Sequence, residues 1–130
     1  MNIQIRYLSK LGHTKAIAEA IAEGAKSTAV SISEEPELKE KADILFLGGA
    51  PYANVMDKEL REYAKKLTPE LVGEVILFTT SNWSKRTVKA LRKILMGNLV
   101  NVREGYFFAQ AFQIEKRKEA AKEFGASSIE

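Results

Sequence analysis

The first apolar residues, Ile3, Ile5 and Tyr7, alternate with the polar Gln4 and Arg6, and this period of two predicts a strand with one buried face. Residues 9–12 break the pattern. Ala16, Ile17, Ala20 and Ile21 then recur at helical spacing, predicting a helix with Gly24 near its stop. Ala29-Val30-Ser31-Ile32 predicts a short, half-polar strand suited to a sheet edge. Residues 34–41, opened by Pro36, predict a brief helical connection. The run Ile44-Leu45-Phe46-Leu47 is apolar without alternation and ends in Gly48-Gly49, as a strand covered on both faces does. Leu60, Tyr63, Ala64 and Leu67 predict one face of a helix over 57–67, and Val75-Ile76-Leu77-Phe78 a second fully buried strand. A helix over 85–96, a strand over 105–112 and a helix over 115–124 complete the series. Strand and helix thus alternate along the chain, with no internal repeat. The pattern predicts an α/β fold, an open, mostly parallel sheet with helices on both faces. In such sheets ligands bind beyond the carboxyl ends of the strands. The loops after the first, third and fourth strands are therefore where chemistry is expected.

A length of 130 residues suits a single domain spanning 1–130. Cysteine is absent, which excludes disulfides, thiolate-bound metals and iron–sulfur clusters, and fits a reducing cytosol. Gln4 and Arg6 interrupt the apolar residues of the first segment, so it does not read as a signal peptide. No stretch approaches the roughly 20 apolar residues of a membrane span. A soluble, cytoplasmic protein is expected, with neither nucleic acid nor membrane as partner. The formal charge of +3 adds little. Locally, Lys85, Arg86, Lys89, Arg92 and Lys93 share much of one helix surface. They read first as a solvated helix face, and second as a docking surface for an acidic partner.

Ser9-Lys10-Leu11-Gly12-His13-Thr14 joins the first strand to the first helix. Backbone N–H groups and the positive end of the helix dipole meet in such a loop. Hydroxyls on Ser9 and Thr14, with close backbone approach at Gly12, would make a phosphate cradle; an ordinary helix cap is the other reading. The chain has neither G-x-x-x-x-G-K-[ST] nor G-x-G-x-x-G. His13, the single histidine, has no Ser–His–Asp arrangement around it in sequence and reads as a loop residue near the phosphate. Ile5, Tyr7, Ser9, Gly12, Thr14, Ala18 and Ile21 fall at the spacings of the flavodoxin signature, and the segment resembles that family's FMN phosphate loop. Four residues depart from the pattern: Arg6 where an apolar residue is preferred, Leu11 for a frequent hydroxyl, His13 for a frequent Asn, and the unusual Lys10. A lysine charge beside the phosphate would offset the hydrogen bond that Leu11 cannot make.

The resemblance extends to the other two loops and implies a three-layer flavodoxin-like sandwich with five parallel strands in the order 2-1-3-4-5. It implies that Pro51, Tyr52, Ala53 and Asn54 pack on one face of the isoalloxazine ring, with Tyr52 at the inner-face position of the short-chain branch. Ala53-Asn54 stands where a flexible peptide, often Gly-Asp, reorients on one-electron uptake, and alanine resists the positive φ that glycine allows. After the fourth strand come Thr79-Thr80-Ser81-Asn82-Trp83, with Trp83 five residues beyond Phe78. In short-chain flavodoxins a tryptophan at this place stacks on the outer flavin face, with Thr80, Ser81 and Asn82 beside it. Covering the core between loop and helix is the other role open to Trp83. Ser84-Lys85-Arg86 replaces the Gly-Asp of that branch. Cations near the ring favour its reduced anion, so a reduction potential less negative than that of acidic flavodoxins is expected.

The resemblance therefore implies an FMN-binding electron carrier that passes one or two electrons between a reductase and an acceptor protein. No catalytic residue and no metal ligand is assigned. A basic rim of Lys10, Lys85 and Arg86 would favour redox partners with acidic docking patches. Two other readings stand beside it. One is an FMN-dependent quinone or protoporphyrinogen reductase, which needs room over the ring that a stacked Trp83 would obstruct. The other is a flavodoxin-like module that has lost FMN and serves in binding or regulation, to which Lys10, Leu11 and the altered third loop point.

Overall fold

A computed structural model describes residues 1–52, 55–82 and 84–130, the side chains of Tyr52 and Val55 excepted. In chain order its elements are β1 (Ile3–Tyr7), α1 (His13–Ala25), β2 (Ala29–Ser31), β3 (Ala42–Gly49), β4 (Pro51–Tyr52), β5 (Val55–Met56), α2 (Lys58–Lys65), β6 (Val72–Ser81), α3 (Arg86–Gly97), β7 (Val102–Gln110) and α4 (Ile114–Ser128). Five strands form one parallel sheet in the order β2-β1-β3-β6-β7, which is 2-1-3-4-5 when only those five are counted. β4 and β5 form a separate antiparallel ribbon.

The two uninterrupted apolar runs lie at the centre of the sheet as β3 and β6, buried on both faces. On one face Ile5, Phe46, Ile76 and Phe78 pack with Ile17 and Ile21 of α1 and Ala121 of α4. On the other, Leu45, Leu47, Val75 and Leu77 pack with Leu60 and Ala64 of α2 and Leu91 and Leu95 of α3. Among the described residues no helix is long and apolar enough to cross a membrane, and none of their carboxylates and imidazoles group for a metal ion.

Three local expectations are corrected. Residues 34–41 are not helical; a turn follows β2 and the chain then runs irregularly to β3. The residue before a proline is driven away from helical backbone, here Glu35 before Pro36, and the segment is held by side chains instead. Arg6, only 6% exposed, reaches Glu35 at 3.6 Å, Ser33 Oγ donates to Glu59 at 2.8 Å, and Ile32 and Leu38 are buried. An arginine can stand within β1 because this loop brings it a carboxylate.

Gly24 stands near the helix stop, as expected. α1 continues to Ala25, and Lys26 caps it at φ 57°. A Cβ on Gly24 would overlap the Lys122 carbonyl, and one on Gly125 would overlap the Ile21 carbonyl, so the two glycines let α1 and α4 approach backbone to backbone. β7 begins earlier and ends sooner than the expected 105–112. Its start is polar, held by Arg103, which bonds both Glu74 oxygens at 3.2 and 2.7 Å and the Ser128 carbonyl at 2.8 Å. That last bond ties down the end of α4, which runs past the expected 124.

Candidate functional site

β3 runs one residue beyond the end of β1 and β6 two residues beyond the end of β3, and the loops leaving these strands meet around one cleft. Just before its last residue, Ser81, β6 carries Thr79-Thr80, whose side chains point to opposite faces. Thr79 Oγ1 donates to the Gly49 carbonyl at 2.7 Å, fixing the loop after β3. Thr80 Oγ1 lies 2.7 Å from Thr14 Oγ1, fixing the first turn of α1. All three threonines are essentially excluded from solvent. Two hydroxyl groups at the end of one strand thus register three loops against one another.

Between these loops is a cleft of about 740 Å³ lined by Ser9, Leu11, His13, Thr14, Ala50, Pro51, Thr80, Ser81, Asn82, Ser84, Ala111 and Phe112. This volume is of the order of small-molecule and cofactor sites. Its described lining carries no carboxylate, lysine or arginine. Gly12 sits at φ 93°, a conformation that side-chain-bearing residues rarely adopt, and its N–H donates to Ser9 Oγ at 3.1 Å. Gly12 is also the N-cap of α1, and no side chain caps that helix end. The α1 terminus therefore offers backbone donors and a partial positive charge beside the cleft. On the opposite wall Ser81 Oγ accepts from the Ser84 N–H at 3.1 Å, and Gln110 Nε2 donates to the Asn82 carbonyl at 3.0 Å.

Of the residues singled out from sequence, Ser9, Leu11, His13, Thr14, Pro51, Thr80, Ser81 and Asn82 line the cleft. Gly12 borders an adjoining hollow that shares Leu11, His13, Ala111 and Phe112 with it. The Thr14 hydroxyl is engaged with Thr80, so it serves the floor of the site. Lys10 turns to Asp57, with Nζ 2.6 Å from Oδ2. Burial would raise the Asp57 carboxyl, but hydrogen bonds from Lys10 and the Glu59 N–H, with the lysine charge, bring it below its ordinary value. Ala53, Asn54, Trp83 and the Tyr52 side chain lie outside the described residues.

Sequence reasoning missed Ala50, Ser84, Ala111 and Phe112. The last two follow β7, whose carboxyl end also faces the cleft; reading the strand through to Phe112 hid that loop. Leu11 and Phe112 are 75% and 69% exposed and give the mouth an apolar lip.

A family model described as a flavodoxin domain matches residues 4–121. No curated protein matches significantly. Among solved structures the chain is similar to flavodoxin 2 from Bacillus cereus, with a TM-score of 0.71 and 17% identity over 100% of both chains. It is similar to a short-chain flavodoxin associated with a PDU bacterial microcompartment, with a TM-score of 0.66 and 12% identity over 99% of each. The Flv1 flavodiiron core from Synechocystis sp. gives a TM-score of 0.72 at 17% identity, over 99% of this chain but 36% of that one. The chain thus spans about a third of that flavodiiron core. These likenesses establish the shared fold.

Proposed function

The chain belongs to the flavodoxin-domain family, and we propose that it binds FMN in the cleft and works as a cytoplasmic electron carrier. The observation that carries the reading is the convergence of an uncapped α1 terminus, Gly12 at positive φ and a neutral cleft of about 740 Å³. A phosphate is bound by donors and a helix dipole, and a planar ring by a slot with apolar walls. The residues present suit such a group. Ser9 and the amides around Gly12, His13 and Thr14 would take the phosphate. Pro51 and the segment 50–54 would border the ring on one side, with Ser81, Asn82 and Trp83 on the other. When bound, the flavin supplies the redox chemistry, taking up and releasing one or two electrons. The protein's residues hold it, exclude water from its inner edge and set its electrostatics.

The partners are proposed to be a reductase and an acceptor protein with acidic docking patches. Lys85, Arg86, Lys89 and Lys93 are exposed on or beside α3, at the same end of the chain fold as the Ser81–Ser84 wall for the first two. Lys85 Nζ also lies 5.1 Å from the Phe108 ring centroid, which restrains it near that wall. Arg92 is spent locally, donating to the Arg103 and Glu104 carbonyls. Lys10 contributes less to this rim than its sequence position suggests, because Asp57 balances its charge.

An absorption spectrum of the purified protein, before and after FMN is added and excess removed, tests the reading. Flavin bands retained at about one per chain are expected. A colourless protein that cannot be reconstituted refutes FMN binding and favours the flavin-free module. Sustained quinone turnover with a nicotinamide donor would instead favour a reductase.

A further inference from the structure

We propose that Lys10 and Asp57 form a clasp that ties the loop after β1 to the start of α2 and so holds the β4–β5 ribbon beside the cleft, so that Lys10 acts as a positioning residue and not as a phosphate contact. The proposal rests on the flavin reading above. Asp57 is the N-cap of α2: Oδ1 accepts from the Glu59 N–H at 2.8 Å, and its carbonyl accepts from the Arg61 N–H at 3.0 Å. Its carboxylate is therefore oriented by the helix before Lys10 arrives, and its side chain is only 13% exposed. Lys10 Nζ reaches the other oxygen at 2.6 Å, from a side chain 55% exposed.

The segment that carries the β4–β5 ribbon is anchored at one end by the Thr79–Gly49 hydrogen bond and at the other by buried Met56 and Asp57. The clasp joins that second anchor to the loop after β1. To reach a phosphate, Lys10 would have to leave a mostly covered carboxylate, which would then keep only its backbone partner. With Asp57 13% and Lys10 55% exposed, the pair is partly covered, and Asp57 and a ligand phosphate compete for the ammonium group. The pre-oriented carboxylate holds the advantage.

Lys10→Met keeps the length of the side chain without its charge, and Asp57→Asn keeps a good helix cap while removing the ion pair. The dissociation constants of FMN and of riboflavin, which lacks the phosphate, are measured for both variants and for the double variant. A clasp predicts that each single change weakens both ligands by about two- to fivefold, the range of a partly exposed pair, and that the double change is no worse than either. A phosphate contact predicts that Lys10→Met weakens FMN and spares riboflavin while Asp57→Asn tightens FMN; that result overturns the proposal. Amide exchange of residues 55–57 in the ligand-free protein is read alongside. Faster exchange in both single variants supports the clasp, and exchange unchanged in both overturns it. A wild-type protein that binds neither flavin refutes the proposed cofactor, and the exchange measurement still decides the clasp.

Discussion

The hydrogen bond between Thr14 and Thr80 holds the first turn of α1 against the end of β6, and its removal separates two kinds of cost. Both residues are about 1% exposed, and their hydroxyl oxygens are 2.7 Å apart. Replacing Thr80 by the isosteric valine leaves the Thr14 hydroxyl buried without this partner. An orphaned buried polar group costs about 1–3 kcal/mol, more than the net worth of a typical hydrogen bond at about 1 kcal/mol. Thr14→Val has the same effect from the other side. Replacing both removes the pair together and leaves two apolar groups of the same shape in contact, a change that is nearly neutral in favourable cases. The double variant should therefore be at least as stable as either single variant, with a coupling at least as large as one single loss, about 1–3 kcal/mol. Urea denaturation of the four proteins gives the cycle, provided the denaturant slope is unchanged among them. Additive losses would refute the idea that the two hydroxyls act as a unit. They would also remove the reason for β6 and α1 to share a register at the cleft.

Gly24→Ala should destabilise the protein by about 1–3 kcal/mol, although alanine is the better helix former, because the added methyl meets the Lys122 carbonyl of α4; a thermal melt showing stabilisation would contradict the close approach. Burial pushes the Tyr63 phenol up to about 12, against the opposing Arg6 charge. The folded state then holds that proton more tightly than the unfolded one, so the contribution is complete below about pH 10 and lost as pH rises toward 12. Tyr63→Phe should lose less stability than wild type over that window, by on the order of 2 kcal/mol, and parallel curves would refute the assignment. Replacing Lys85 and Arg86 by glutamate should make the potential of the FMN complex more negative, which a redox titration reads; an unchanged or higher potential would show that these cations do not act on the ring.

How far the sequence could be read depended on whether a feature was local. β3 and β6 are legible because six consecutive positions in each, 44–49 and 75–80, are buried, and no helix period fits them. The loop after β1 is legible because Ser9, Gly12 and Thr14 carry a pattern within six residues. Residues 34–41 misled because Pro36 and the surrounding acidic residues imitate a helix start, whereas the segment is shaped by Arg6, about thirty positions earlier. The beginning of β7 was hidden for the same reason: Arg103 is polar, and its partner Glu74 lies on the neighbouring strand. Lys10 was the clearest case at the site. Its place in the loop after β1 was plain, but nothing nearby in sequence announced Asp57 as a partner. Phe112 was counted as strand, although a strand ending at Gln110 would have placed it at the mouth of the cleft.

The central claim is that the cleft above β1, β3, β6 and β7 binds FMN with its phosphate at the start of α1. Amide chemical-shift mapping of the ¹⁵N-labelled apoprotein, titrated with FMN, tests it most directly. The account predicts that the largest shifts fall on Gly12, His13 and Thr14, on Ser81, Asn82 and Ser84, and on Ala111 and Phe112. Residues 33–40, on the far side of β1, should stay unmoved. Shifts centred anywhere else, or none at FMN concentrations that saturate a specific site, would contradict it.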